Sequence, residues 1–431
     1  AKAVGAKPEA SLPEAIGGQA GLKAAYRFFD NSAIESQDIL ESHIRATYWR
    51  MKEVALVLAV QDTTYLDWTH HPHTQGLGPL ASEDRQGLMA HSTLALTPER
   101  VPLGVLQQQV WARDTETYAK LKDHKQRGIE EKESQKWLTS LESVHAARIA
   151  NPDTQFVSIG DREADIYDLF LFERMAGVDL LVRATQNRRV EHEERYLWAA
   201  VAAAALATTI QLHVPRQSKC PQRIANVEVR WRKITLRPPS GRKAEGLPVI
   251  SVWAVWVVET AVPEGVEKIE WMLLTTRAVQ STEDALERLA WYTCRWGIEV
   301  WHKILKSGCQ IEARQLENAE RLKRLLTLFS VVAWRILYAT MLARAIPDVA
   351  CTIFFEDGEW QALYCAVHNS SVIPQQPPTL HEAIRLVARL GGFLGRKQDG
   401  QPGVTVLWKG FQRLPDLTLM YRLLCPSEGA Q

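Results

Sequence analysis

Apolar positions change their period along this chain, and each change marks a different kind of element. Between Ala20 and Phe29, and again between Ser36 and Trp49, apolar side chains recur at three- and four-residue spacing, which predicts helices. From Val54 to Val60 the run is continuous and rich in branched residues, as a strand buried on both faces requires. It is expected to end at Gln61-Asp62-Thr63-Thr64. Leu88 to Leu96 and Val101 to Trp111 read as further strands around the turn Thr97-Pro98-Glu99-Arg100, so the sequential strands form an antiparallel meander.

A polar stretch from Asp114 to Glu133 leads to a helix over Ser134 to Ala150, with Trp137, Leu138, Leu141 and Val144 on its apolar side. Phe156 to Gly160 is the next strand and runs into Asp161; helix resumes from Asp165 to Met175, and Asp179 to Ala184 is again a strand. This order predicts an α/β fold with a mixed sheet flanked by helices. From 185 to 270 the pattern alternates, with strands at Ile210 to Val214, Val227 to Leu236 and Val249 to Thr260 between Pro and Gly. Trp271 to Thr276 is a strand, and Ser281-Thr282-Glu283-Asp284 starts a helix expected to run to about Lys306. Gly297 lowers that helix's propensity by about 1 kcal/mol, which points to a close backbone approach. Helices follow through Ala319 to Ala343, at Leu380 to Arg389 and at Leu414 to Leu424. The expected organisation is an N-terminal helical region at 1–50, a mixed-sheet core at 51–184 and 271–345, a β-rich basic insertion at 185–270, and a C-terminal helical region at 346–431.

Composition adds limits. The 431 residues are 46% apolar, ample for a large core. The longest apolar run, near Val201 to Ile210, is too short to cross a bilayer, and no signal peptide precedes it. The chain opens Ala1-Lys2 and not with Met, so residues upstream are expected. The six cysteines form no CxxC pair, which fits reduced thiols in a cytosolic protein. Net charge is only +1, so local charge must carry any argument for a polyanion. Between Arg216 and Lys243 nine basic residues face one acid, Glu228, a local charge of +8. That stretch reads as basic loops on a polyanion, or as a solvated loop region.

Candidate chemistry gathers on the stretch from Trp291 to Lys306. On one continuous helix, Tyr292, Arg295, Glu299, Lys303 and Lys306 would share an arc of roughly 80°. Asp62 and Asp161 both stand where an apolar strand ends; on neighbouring strands they would meet at one sheet edge, and Glu299 could complete a three-carboxylate cluster. Oxygen-only donors suit Mg²⁺ or Mn²⁺ rather than zinc. Two such ions about 3.5–4 Å apart support phosphoryl transfer. Taken singly, each Asp is equally a turn or cap residue, and Glu299 is equally an i,i+4 partner of Lys303. Arg295 can fork onto a phosphate, Lys303 and Lys306 serve as point charges, and Tyr292 can donate its hydroxyl. Trp271, Trp291 and Trp296 can stack on bases or belong to the core, and His302 lies just off the face as a possible phosphate or water contact. His70-His71-Pro72-His73 reads as a polar loop, its spacing too tight for a structural zinc site. There is no Gly-rich phosphate loop and no nucleophile elbow.

These residues resemble a known family, the DDE transposases of bacterial insertion sequences and composite transposons, in the cut-and-paste branch with a Tyr-Arg-Glu-Lys signature. Here it reads Tyr292-x2-Arg295-x3-Glu299-x3-Lys303. Asp62 in Val-Gln-Asp-Thr-Thr and Asp161 in Gly-Asp-Arg-Glu-Ala-Asp-Ile-Tyr match the two other acidic motifs. Further likeness lies at Glu131-Lys-Glu-Ser134, Trp271-Met-Leu-Leu-Thr and Ala388-Arg-Leu-Gly-Gly-Phe-Leu394, and it spans Tyr26 to Leu424.

The resemblance implies an RNase-H-like core with a β-stranded insertion. Asp62, Asp161 and Glu299 would hold Mg²⁺, with Mn²⁺ able to substitute. Tyr292, Arg295, Lys303, Lys306, Arg183 and His302 would meet DNA, and Trp271 and Trp296 would stack beside a flipped base. It further implies 3′ nicking, hairpin formation and opening, and strand transfer. The partners would be double-stranded DNA (terminal inverted repeats and target) and a second copy of the chain, in a bacterial cytoplasm. No membrane is expected. The C-terminal region from about Pro374 to Leu424 resembles the pairing segment. The family's N-terminal recognition segment reads as short or absent, and Gly297 stands where relatives often carry a charge. A nuclease without strand transfer and a domesticated DNA-binding protein are the competing readings.

Overall fold

The computed structural model describes residues 2–80, 82, 84–114, 133–214, 222–396 and 398–425. The chain divides into two compact bodies, one made of Ala1–Arg50, Thr63–Leu121 and Gly297–Gln431, the other of Met51–Asp62 and Lys122–Trp296. Most of the polar stretch between Asp114 and Glu133, the likeness at 131–132, and Arg216, Lys219 and Cys220 lie outside the described residues.

The second body is built on an open sheet. Strand β1 (Leu56–Asp67) enters it with its first half and pairs in parallel with β5 (Gln155–Gly160), which pairs in parallel with β6 (Val178–Arg183). β10 (Glu270–Thr275) then runs antiparallel to β6, and β9 (Ile250–Glu259), β8 (Arg223–Leu236) and β7 (Thr208–Val214) continue antiparallel from it. The parallel strands β5 and β6 are buried along most of their length because both faces are covered, whereas β7 alternates because one of its faces is wet. Helix α5 (Gln135–Ala150) packs on β5 and β6 through the buried Trp137, Leu141 and Val144.

The other body holds helices α1 to α4 (Lys2–Ala6, Leu12–Ile16, Gln19–Asp30, Ser36–Met51) and the antiparallel pair β3 (Gln86–Leu96) and β4 (Pro102–Trp111), with the short β2 (Gly78–Pro79) beside β3. Its C-terminal core forms where α10 (Ala319–Ala345), α11 (Asp357–His368), α12 (Leu380–Leu390) and α13 (Val404–Leu424) bury Leu342, Trp360, Leu363, Ile384, Leu407 and Leu414. α10 is long and apolar enough to span a membrane by composition, yet 67% of its most apolar window is buried in the fold.

Several boundaries differ from the sequence expectation. β1 does not stop at Asp62 but continues to Asp67, because its second half finds β3 as a neighbour. Between β1 and β3 lies the segment 68–85, not a short turn. The helix expected over Asp165 to Met175 shrinks to α6 (Tyr167–Leu171). The apolar run near Val201 divides between α7 (Leu197–Ala202) and β7. The last helix begins at Val404 and carries Pro415 inside it. Proline suits a first helical turn, so pattern alone starts the helix too late. Tertiary contact overrides that: a Cβ on Gly391 would meet Val406 O at 1.8 Å and one on Gly410 would meet Val387 O at 1.9 Å, so α12 and α13 touch backbone to backbone.

The helix expected from Ser281 to Lys306 is also broken. The capping box is present: Ser281 Oγ accepts from Asp284 N at 3.1 Å, and Asp284 accepts from Ser281 N at 3.2 Å. α8 (Thr282–Thr293) then ends where Cys294 N and Arg295 N bond to Trp291 O and Tyr292 O, tightening the turn. α9 (Trp296–Lys303) restarts the helix and passes into a π turn at Ile304–Gly308. A single arc from Tyr292 to Lys306 therefore does not exist. The neighbour at Gly297 is a side chain and not backbone: a Cβ there would stand 3.2 Å from Leu96 Cδ1.

Candidate active site

The parallel pairing of β1 and β5 decides where the first two acids meet. Val60 is in register with Ile159, and two residues further along come Asp62, within β1, and Asp161, just past the end of β5. The expectation that the two acids share one sheet edge holds because these strands are direct neighbours. Gln61 Nε2 donates to Ser158 Oγ at 2.7 Å and ties the strands just before the acids.

Asp161 leads a 3₁₀ turn, Arg162–Ala164, and its Oδ1 accepts from Glu163 N at 2.9 Å. Burial pushes the Asp161 carboxyl above the ordinary carboxylate range, and the like charge of Asp62 adds to the rise, while the Glu163 amide and Arg295 oppose it. Arg295 Nη1 lies 3.6 Å from Asp62 Oδ1, with the two side chains 13% and 19% exposed. One guanidinium thus balances a pair of facing carboxylates.

A second layer surrounds this trio in the same body. Tyr292 is buried, and burial raises its phenol while Arg295 and Arg183 pull it back. Arg183, at the end of β6, hydrogen-bonds Tyr292 and donates from Nη2 to Glu270 O at 3.1 Å; its own pKa is lowered mainly by burial. Trp271 stands edge-on to Tyr292, with ring centroids 5.4 Å apart, and edge-on to Trp296 at 6.1 Å. These tryptophans border a cavity of about 340 Å³ whose charged lining is Arg162, Arg183, Arg223, Lys268 and one acid, Glu267. Of the tryptophans singled out, Trp291 is buried with Arg288 over its ring at 4.2 Å, a core role.

Glu299, His302, Lys303 and Lys306 belong to the other body. Glu299 and Lys303 are exposed on α9, while His302 is buried. Lys306 donates to Tyr65 O and lies 3.7 Å from Glu312. His70 and His73 are exposed in a loop, as expected of a polar segment. Among the described residues, no three His, Cys, Asp or Glu side chains form a group able to hold a metal ion.

The basic stretch of β8 behaves unlike its sequence count. Arg223 makes a two-point contact with Glu259, whose Oε2 lies 2.9 Å from Arg223 Nη2. Arg230 pairs with Glu228, Arg232 with Glu194 at 3.0 Å, Arg237 with Glu191, and Arg242 with Asp168 at 2.8 Å and Glu245. Among the described residues of this stretch these five arginines are each matched by an acid, and all but one of the acids come from outside Arg216 to Lys243. Arg162 and Lys268 were missed as lining residues. Adjacency to Asp161 could have flagged Arg162, but nothing in the local pattern points to Lys268.

Comparison with known proteins adds matches at both ends of the chain. Residues 1–34 match the family model described as transposase DNA-binding, and residues 331–420 match that of the transposase Tn5 dimerisation domain. The DNA-binding match at 1–34 lies where the N-terminal segment reads from sequence as short or absent. A solved structure described as a piggyBac transposase synaptic complex with hairpin DNA aligns at 8% identity and a TM-score of 0.32. That alignment covers 68% of this chain, which spans about half, 48%, of the other.

Proposed function

Since the chain belongs, in the general sense carried by its DNA-binding and dimerisation segments, to the transposase family, we propose that it is a DDE-type DNA transposase that cuts at transposon ends and joins them to target DNA. The observation that carries this reading is the proximity of Asp62, on β1, to Asp161, just past its parallel neighbour β5, with Arg295 acting on both and a cationic, tryptophan-walled cavity in the same body. The same strand order supports an RNase-H-like core.

The residues present fit a divalent cation. Two facing carboxylates offer oxygen donors only, and the raised pKa of Asp161 marks a place where added positive charge is favourable. Asp62 and Asp161 would hold Mg²⁺ or Mn²⁺, with Glu299, one turn into the helix that follows Arg295, as the third ligand. When bound, such ions supply activation of the attacking water or 3′-hydroxyl and stabilisation of the departing oxygen. Arg295 and Arg183 position end-proximal phosphates, with Lys303 and Lys306 as further cationic contacts. Trp271 and Trp296 offer aromatic faces to an extruded base, returning part of a stacking cost of a few kcal/mol. The reaction course is a 3′ nick, a hairpin formed and reopened, and strand transfer, carried out by two copies on two ends in a bacterial cytoplasm.

The test incubates purified protein with donor-end duplexes carrying the inverted repeats that flank its gene, a supercoiled target and Mg²⁺. Hairpin and joined products are expected. Nicks alone would make it a nuclease, and binding without any cleavage would make it a DNA-binding protein only.

A further inference from the structure

One buried ion pair beside this site is used by nothing described so far. The Asp165 side chain is fully buried and that of Arg188 is 10% exposed. Asp165 Oδ2 accepts from the backbone amides of Thr185 and Gln186, each at 2.8 Å. Its Oδ1 accepts from Arg188 Nε at 3.1 Å and Nη2 at 2.6 Å, and Arg188 Nη2 also reaches Asp165 O at 2.6 Å. A single aspartate thus takes five hydrogen bonds from one loop.

Its place in the chain gives those bonds a direction. Asp165 closes the 3₁₀ turn that Asp161 opens, with Asp165 N bonded to Arg162 O at 3.3 Å. Thr185 and Gln186 directly follow the end of β6, where Arg183 hydrogen-bonds Tyr292. The carboxylate therefore clamps the turn bearing Asp161 to the loop that trails Arg183. Buried ion pairs rarely add net stability over apolar packing, because desolvation offsets their attraction. What a two-point fork with two amides supplies is fixed geometry.

We propose that Asp165 and Arg188 are positioning residues, which set Asp161 and Arg183 at the separation needed to work on one DNA strand. The proposal rests on the reading of those two residues as DNA-processing groups. It predicts that Arg188→Lys, which keeps the charge but loses the fork, does not rescue function.

The test is a double-mutant cycle on binding to the donor-end duplex in Ca²⁺, with single-turnover cleavage at saturating DNA measured in Mg²⁺. Arg183→Ala is expected to weaken binding about tenfold in the wild-type background and about twofold or less in Arg188→Lys. Cleavage by Arg188→Lys should fall about tenfold with its thermal melt still cooperative. An equal effect of Arg183→Ala in both backgrounds overturns the proposal. Asp165→Asn, which can still accept both amides, carries the same cycle if Arg188→Lys does not fold; failure of both to fold assigns the pair to folding alone. If the wild-type chain binds DNA without cleaving it and the cycle still shows coupling, the transposase reading fails and the positioning role stands. A wild-type chain that does not bind the duplex removes both.

Discussion

Two regions of the second body look alike by charge count and differ in what they leave available. The stretch over β8 is the most basic in the sequence, yet its described arginines face Glu191, Glu194, Glu228, Glu245, Glu259 and Asp168. The edge of β1 and β5 carries two facing acids, where half-buried Arg295 lies 3.6 Å from Asp62 and half-buried Arg183 hydrogen-bonds Tyr292. Two acids under one arginine leave negative charge that a cation can meet, whereas each of these β8-region arginines has an acid of its own. Sequence arithmetic counts neighbours along the chain, whereas pairing happens between neighbours in space.

The largest effect is expected at Asp161. Asp161→Asn should lower cleavage by on the order of 10³-fold while DNA binding in Ca²⁺ stays near wild type, measured by single-turnover assay and fluorescence anisotropy. Wild-type cleavage by this variant would remove the carboxylate pair from the chemistry.

Stability sharpens the same contrast. Arg223→Ala leaves Glu259, whose side chain is fully buried, without its partner and should cost about 3–5 kcal/mol in denaturant unfolding. Arg232→Ala, in a half-exposed pair, should cost about 1 kcal/mol or less. Equal losses would mean that burial does not distinguish the two pairs.

Arg295→Ala should lower the salt slope of DNA binding by about one and leave Asp161 with a still higher pKa, moving the acid limb of the cleavage profile upward. Arg232→Ala should leave the salt slope unchanged. If it lowers the slope as much as Arg295→Ala does, the β8 stretch is the DNA surface after all.

The smallest effect expected is thermal. Because the folded pKa of Asp161 is raised, the folded state holds its proton more tightly than the unfolded chain does. Folding is favoured by this group at low pH, and that advantage is lost as pH rises from the ordinary carboxyl pKa through the raised value. Above that window, Asp161→Asn should melt a few degrees higher than the metal-free wild type, and below it the two should coincide. Mg²⁺ should raise the wild-type midpoint, EDTA should reverse it, and Asp161→Asn should not respond. Identical melting of both proteins across pH would refute the electrostatic account of the site.

The features legible in the order of residues are local and periodic. The branched runs of β1, β5 and β6, the capping box at Ser281 and Asp284, and the spacing that carries the resemblance were all legible, because each depends on residues a few positions apart. The tertiary structure alone decided that β1 runs on to Asp67, that the helix breaks after Thr293, and that Lys268 and Arg223 turn toward Trp271 and Trp296. It also decided which acid each arginine meets. Strand pairing, backbone approach at Gly391 and Gly410, and ion pairing join residues far apart in the chain, and no local pattern records their energies.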